Sequence, residues 1–189
     1  MDNDNIKLRL EVLHDAFQTT LRSDVTVACG SYLNVYGGTE DTPHLTCRVC
    51  LLGSVLLAKV MGPAGALERD LNDLTVPSNL GPIFGTETLA VAEGMFEGYA
   101  VSGEYQLYWG YSPPNHELRA LMARVHRRWP LSAERARATL NHLIEHEGKF
   151  DLKVLDQHFT ELDTQSLSQA AKAVLRRYGI TPYMEKTDV

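Results

Sequence analysis

"TPHLTCRVCLLGSVLLAKVMGP", residues 42–63, contains the longest apolar run in the chain and only two charged side chains. It opens with a Thr-Pro pair, which suits the N-cap and first position of a helix, and it closes with a Gly-Pro pair, which suits a helix end. A helix that is apolar on nearly all sides is one that other elements surround. We therefore predict that residues 43–61 form a buried central helix.

On both sides of this segment, apolar residues recur every three or four positions, a pattern typical of amphipathic helices. These further predicted helices cover residues 5–22, 64–74, 86–96, 115–129, 133–147 and 165–178. Alternating apolar residues predict a short strand over 25–29 and a turn or hairpin over 98–114, and residues 31–36 fit either a strand or a helix. Prolines and glycines in 75–85 predict a loop. The predicted fold is mainly α: a single domain of residues 1–189, a compact helical domain around the buried central helix, with at most a small β hairpin.

The composition is that of an ordinary soluble domain, with 44% hydrophobic and 22% charged residues. Three cysteines are too few for a disulfide framework, and the chain opens with MDNDN instead of a basic and apolar targeting segment. The longest apolar run is too short to span a bilayer. We expect a cytoplasmic protein without a membrane partner.

The net charge of −6 is unevenly distributed along the chain. Residues 1–110 carry 14 acidic and 6 basic side chains, a net of −8, whereas residues 111–189 carry 10 acidic and 12 basic ones, a net of +2. An acidic first half repels phosphates and argues against nucleic acid as a partner. It suits a protein that meets a basic partner surface or that stays soluble through its charge.

His142, Glu145 and His146 form the H-x-x-E-H string of one class of zinc metallopeptidases. Two histidines one helical turn apart can bind one zinc ion, and the glutamate can activate a metal-bound water. On a helix over 133–147, however, these side chains fall on the face opposite Leu140, and little chain remains to supply the third protein ligand that a catalytic zinc needs. We predict that they form a solvated polar face without a metal, with a zinc site as the alternative.

His44, Cys47 and Cys50 are spaced three residues apart. On a helix, three ligands with this spacing drift 120° around the axis, which is poor geometry for one metal ion. Cysteines in an apolar segment behave as small hydrophobic residues. We predict that Cys47 and Cys50 pack in the core, with zinc left open as the second interpretation.

Aromatic side chains cluster just before the predicted helix at 115–129, and six arginines follow within thirty residues: Arg119, Arg124, Arg127, Arg128, Arg135 and Arg137. Aromatic rings beside guanidinium groups can stack a base and neutralise a phosphate, and they equally form hot spots of protein–protein interfaces. The structural alternative is that the tryptophans lie in the core and the arginines form a solvated face. The predicted binding residues are Tyr105, Tyr108, Trp109, Tyr111, Arg124, Arg127 and Arg128.

The segments CRVCLLGSVLLA and LNHLIEHEGKFD together resemble small proteins of unknown function that bacteriophages carry. The resemblance covers part of the chain and carries no functional residue over. It implies a host-directed accessory protein, such as a phage-encoded inhibitor of a bacterial defence system.

The leading functional hypothesis is therefore a non-enzymatic binding protein without a cofactor, which occupies a host protein or sequesters a nucleotide signal. A homo-oligomer is also left open. A zinc-dependent hydrolase that uses the HLIEH motif is the alternative hypothesis, and an enzyme that turns over nucleotides with the aromatic segment is the third.

Overall fold

The computed structural model of the protein describes residues 2–29, 33–36, 46–60, 76–97, 116–158, 161 and 164–182. The helices in these residues are α1 (Asp2–Thr19), α2 (Leu51–Val60), α3 (Val76–Phe84), α4 (Thr86–Glu97), α5 (His116–Arg128), α6 (Ser132–Glu145), α7 (Leu152–His158) and α8 (Gln169–Arg177). The strands are β1 (Val25–Val27), β2 (Leu33–Tyr36) and β3 (Thr46–Val49). The prediction of a mainly α fold with a small β element is confirmed.

The buried central helix is confirmed as α2, but its predicted start was wrong. Residues 51–57 are all buried, as expected of a helix that other elements surround. The preceding segment Thr46–Val49, predicted as part of the same helix, is strand β3. A short apolar run does not by itself distinguish a helix from a buried strand, and here pairing partners on both sides decide for the strand.

The sheet has the strand order β1-β3-β2. Strand β1 runs parallel to β3, with Val25 opposite Cys47, and β2 runs antiparallel to β3, with Leu33 opposite Val49. Residues 33–36 are thus a strand, which resolves the two interpretations of that segment. Val25, Val49 and Leu57 form a small apolar cluster that fixes the sheet against α2.

The segment 75–85, predicted as a loop, contains helix α3. Leu80 and Phe84 lie one turn apart, and both are buried in the main core. Pro82 lies inside the helix, where it removes one backbone hydrogen bond, and the helix ends two residues later. The burial of two large side chains offsets the weak helix-forming tendency of this sequence.

Helices α4 and α6 contribute to both of the larger apolar clusters of the fold. Helix α6 packs against α1, α4, α8 and β1, so it is enclosed on most of its sides. The predicted helices at 5–22, 86–96, 115–129, 133–147 and 165–178 are confirmed by α1, α4, α5, α6 and α8, with ends shifted by up to a few residues. The predicted helix at 64–74 and the predicted turn or hairpin at 98–114 lie outside the described residues.

Among the helices that the structure describes, none has the length and apolar character needed to cross a bilayer.

Helix α6 stops in a turn that requires a glycine. Gly148 has a φ of +81°, in the left-handed region, and its N–H donates to the carbonyl of Leu143 at 2.7 Å. A Cβ at this position would lie 2.8 Å from Cδ of Arg9. Arg9 is itself held in place, because its Nε donates to the carbonyl of Ile83 at 2.7 Å. The turn therefore brings α6 close to α1 only if residue 148 has no side chain.

We expect the substitution Gly148→Ala to lower the free energy of unfolding by about 2–3 kcal/mol, from left-handed strain and the collision with Arg9. Gly179→Ala is the matched control, since Gly179 has a φ of +73° and no atom lies within 4 Å of the position that its Cβ would take. That control should cost only the strain, about 1–2 kcal/mol. In an Arg9→Ala background, the cost of Gly148→Ala measured by urea denaturation should fall toward the cost at Gly179, with a remainder from Cβ of residue 9, which lies 3.2 Å from the added Cβ. An unchanged cost in that background would show that no collision occurs.

Candidate functional site

The HLIEH motif lies in the second half of α6, and its first histidine is buried. His142 is 1% exposed, which corrects the prediction that both histidines lie on a solvated face. Its Nε2 accepts a hydrogen bond from the backbone N–H of Asp151 at 3.2 Å, so the proton of the neutral ring resides on Nδ1. The ring lies 4.4 Å from that of His146 and 5.2 Å from that of Phe150. Burial, together with the neighbouring His146, lowers the pKa of His142 to about 3.

The glutamate of the motif is also engaged in the fold. The hydroxyl of Ser168 donates to Oε1 of Glu145, and it accepts from the N–H of Ala171 at 3.0 Å. Ser168 is the N-cap of α8. The adjacent Asn141 donates to the carbonyl of Ser166 at 2.9 Å and accepts from the N–H of Ser168 at 3.0 Å. These contacts fix the start of α8 on α6, so this part of the motif has a structural role.

We expect Ser168→Ala to lower the free energy of unfolding by about 1 kcal/mol, the usual loss when a helix N-cap is removed. Ser168→Thr keeps the hydroxyl and should retain most of that stability. Denaturant unfolding, together with amide hydrogen exchange of α8, measures the loss and locates it. Equal losses for the alanine and threonine variants would contradict a role for the hydroxyl.

A zinc interpretation of the motif gains no support from this geometry. Nε2 of His142 and the carboxylate of Glu145 already have protein partners. Within the described residues, no group of three histidine, cysteine, aspartate or glutamate side chains could hold a metal ion. The prediction that His142 is solvated was wrong because it assumed that only one face of the helix is buried. Four elements enclose α6, so side chains on more than one face are buried.

The structure also shows where Cys47 and Cys50, predicted to pack in the core, lie. Cys50 is buried in the main core, and Cys47, on β3, packs partly buried against the small cluster at the sheet. The Sγ of Cys50 accepts from the N–H of Gly53 at 3.3 Å, and burial raises the pKa of its thiol far above the usual range. Cys50 therefore packs in the core as predicted, whereas Cys47 is only partly buried and His44 lies outside the described residues.

The predicted binding residues divide into two groups. Tyr105, Tyr108, Trp109 and Tyr111 lie outside the described residues. The remaining three lie on α5: Arg124 is half-buried, whereas Arg127 and Arg128 are exposed in the last turn. Leu131, just after this turn, is 63% exposed. We call Arg124, Arg127, Arg128 and Leu131 the arginine end of α5.

Arg135 is the arginine whose environment the sequence did not predict, because it is 2% exposed instead of solvated. Its Nε donates to the carbonyl of Phe96 at 3.0 Å, and its Nη1 donates to those of Trp129 and Pro130, both at 2.7 Å. These carbonyls lie at the C-terminal ends of α4 and α5, which carry partial negative charge. The guanidinium thus joins two helix ends beneath the arginine end.

A half-buried thiol completes this junction. Nη2 of Arg135 donates to Sγ of Cys29 at 3.2 Å and approaches the hydroxyl of Ser132 at 3.4 Å. Burial raises the pKa of the Cys29 thiol and the carboxylate of Glu97 raises it further, against the opposite effect of Ser132 and Arg135. A thiol with a raised pKa is a poor nucleophile at neutral pH. The Cys29 contact therefore holds the segment that follows β1 on α6 and does not point to catalysis.

An apolar cavity of about 10 Å³ lies beside α7, lined by Met95, Val125, Trp129, Thr139, Phe150 and Leu155. The hydroxyl of Thr139, in this lining, donates to the carbonyl of Arg135 at 2.8 Å. Sites for small molecules usually enclose roughly 300–1,000 Å³. This cavity cannot hold a nucleotide.

Comparison of the chain with protein-family models, with curated proteins and with solved structures returned no match.

Proposed function

We propose that this protein is a non-catalytic binding protein whose arginine end contacts an acidic surface of a partner protein. The observation that carries the proposal is the exposure of the consecutive residues Arg127 and Arg128 in the last turn of α5, three residues before a leucine that is 63% exposed. Arginines around an apolar anchor are typical of interface hot spots. Tyr105, Tyr108, Trp109 and Tyr111, which lie outside the described residues, stay predicted binding residues on the evidence of the sequence alone.

Two observations favour a protein partner over the other hypotheses. The side chains of the HLIEH motif are used to hold α8 and the turn after α6, which leaves less of the motif for hydrolysis. The exposed guanidinium groups of Arg127 and Arg128 can instead meet carboxylates through bidentate hydrogen bonds.

The finer part of the proposal concerns biological context. We propose a cytoplasmic, phage-encoded inhibitor that occupies a protein of a bacterial defence system. The support for this step is the resemblance of two sequence segments to phage accessory proteins. The excess of negative charge over the chain, −6, disfavours nucleic acid as the partner.

The test compares two charge reversals of equal size. Arg127→Glu with Arg128→Glu reverses the arginine end, and Arg176→Glu with Arg177→Glu reverses a second exposed arginine pair in the last turn of α8. The purified variants and the parent are used to capture proteins from host lysate, with mass spectrometry of proteins and small molecules. We expect a host protein to be captured by the parent and the α8 variant and lost from the α5 variant. Capture that survives the α5 reversal, or that fails equally in both variants, would assign the binding surface elsewhere.

A further inference from the structure

Helix α1 presents an acidic face to solvent. It packs against α2 and α6 through its buried side, and Asp4, Leu8, Glu11 and Asp15 are exposed along the other. Leu8 is 43% exposed. We call these four residues the acidic face of α1.

The ion pairing on this face is weak. Lys7 Nζ lies 3.8 Å from Glu11 Oε1, between side chains that are about half exposed. Exposed pairs of this kind stabilise a helix by roughly 0.3–0.5 kcal/mol. Glu11 can therefore exchange Lys7 for a stronger partner at little cost.

The acidic face and the arginine end carry complementary patterns. Leu131 follows Arg127 and Arg128 by four and three residues, and Leu8 precedes Glu11 by three. An antiparallel approach places the order leucine then glutamate of α1 against the order arginine then leucine of the arginine end, so that Glu11 lies on the arginine side of the contact between Leu8 and Leu131. Such a contact buries two apolar side chains and pairs opposite charges around them, as in the centre and rim of a protein interface.

We infer that the occupant of the arginine end in the isolated protein is the acidic face of α1 of a second copy of this chain. The charge distribution supports a second copy, since residues 1–110 have a net charge of −8 and residues 111–189 a net charge of +2. Each copy thus carries both complementary surfaces. A twofold arrangement forms the contact twice, and a head-to-tail arrangement forms it once per copy. This inference goes beyond the proposed function, because it needs no host protein.

The test is sedimentation equilibrium of the purified full chain across micromolar concentrations, at low and at high salt. We expect the mass to rise with concentration above that of one chain and to rise less at high salt, because salt screens exposed charges. Arg127→Glu with Arg128→Glu should weaken association about tenfold or more, since like charges then face each other. Asp4→Arg with Glu11→Arg should weaken it similarly, and the control Arg176→Glu with Arg177→Glu should leave it unchanged.

A mixture of the two association-deficient variants should recover self-association, because each then supplies the surface that the other has reversed. A parent chain that stays monomeric at every concentration overturns the inference, and so does association that neither reversal weakens. The Asp4→Arg, Glu11→Arg variant keeps the arginine end intact. Its capture of a host protein from lysate therefore reports on the proposed function separately from self-association.

Discussion

Replacement of Arg135 by methionine is expected to lower the free energy of unfolding by about 3–5 kcal/mol, a large part of the stability of a small domain. Methionine fills much of the same volume, so the loss comes from polar groups and not from a cavity. The carbonyls of Phe96, Trp129 and Pro130 lose the guanidinium that donates to them in the buried interior. A buried polar group that loses its partner costs about 1–3 kcal/mol.

The effect is large because three elements meet at one side chain. Arg135 joins the ends of α4 and α5, and its Nη2 also reaches Cys29 in the segment that follows β1. The ring of Phe96 has its centre 5.7 Å from the guanidinium carbon, which adds a cation–π contact. Without these contacts, the two larger clusters of the core lose the connection at the start of α6.

Two variants make this prediction specific. Arg135→Lys keeps the charge but loses the planar fork, so it should recover only part of the loss. Arg137→Met is the matched control on the same helix, because Arg137 is only half-buried and its Nε donates to the carbonyl of Thr164. It should cost about 1 kcal/mol. Urea unfolding measures the free energy of unfolding of all three variants. If that of Arg135→Met lies within about 1 kcal/mol of the parent's, as for an ordinary surface change, the role of the guanidinium is refuted.

The amphipathic helices were predictable because one side of each meets a core. In α5, Leu118, Leu121, Met122 and Val125 recur at helical spacing, and all four are buried as the pattern indicates. The segment Thr46–Val49 was not predictable in the same way, since its strand conformation depends on pairing with β1 and β2, which are distant in sequence. Local pattern thus found the amphipathic helices, whose apolar stripes are formed by residues close in sequence, and missed the strand, whose pairing partners are distant in sequence.

The polar residues of the candidate site show the same limit of prediction from local sequence pattern. Arg127 and Arg128 were predicted to be accessible, and they are exposed. Arg135 belongs to the same cluster of arginines in sequence, but the carbonyls that bury it come from α4 and from the turn after α5. The spacing of residues within α6 does not indicate that the ends of α4 and α5 pack against it. The burial of His142 has the same cause, because the turn that carries Asp151 folds back over α6.

The second large effect is a dependence of stability on pH that comes from His142. Its pKa is about 3 in the folded protein, against an ordinary value of 6.5, because burial disfavours the charged ring. The unfolded chain therefore binds a proton between these values that the folded chain does not bind. The contribution of neutral His142 to the free energy of unfolding is fully present above pH 6.5 and is lost as the pH falls from 6.5 toward 3.

From near pH 8 to about pH 5, this one residue should lower the free energy of unfolding by about 2 kcal/mol. Carboxylates also titrate toward the lower end of this range, so the measurement is the difference between the parent and His142→Gln, whose side-chain amide can still accept from the N–H of Asp151. Urea unfolding across this range should show a shallower dependence of the free energy of unfolding on pH for that variant.

His126→Gln is the control, because His126 is only partly buried and its pKa is lowered mainly by burial. This variant should retain most of the pH dependence of the parent. If the parent and His142→Gln lose stability in parallel as the pH falls, the buried ring is not the group that links folding to protons.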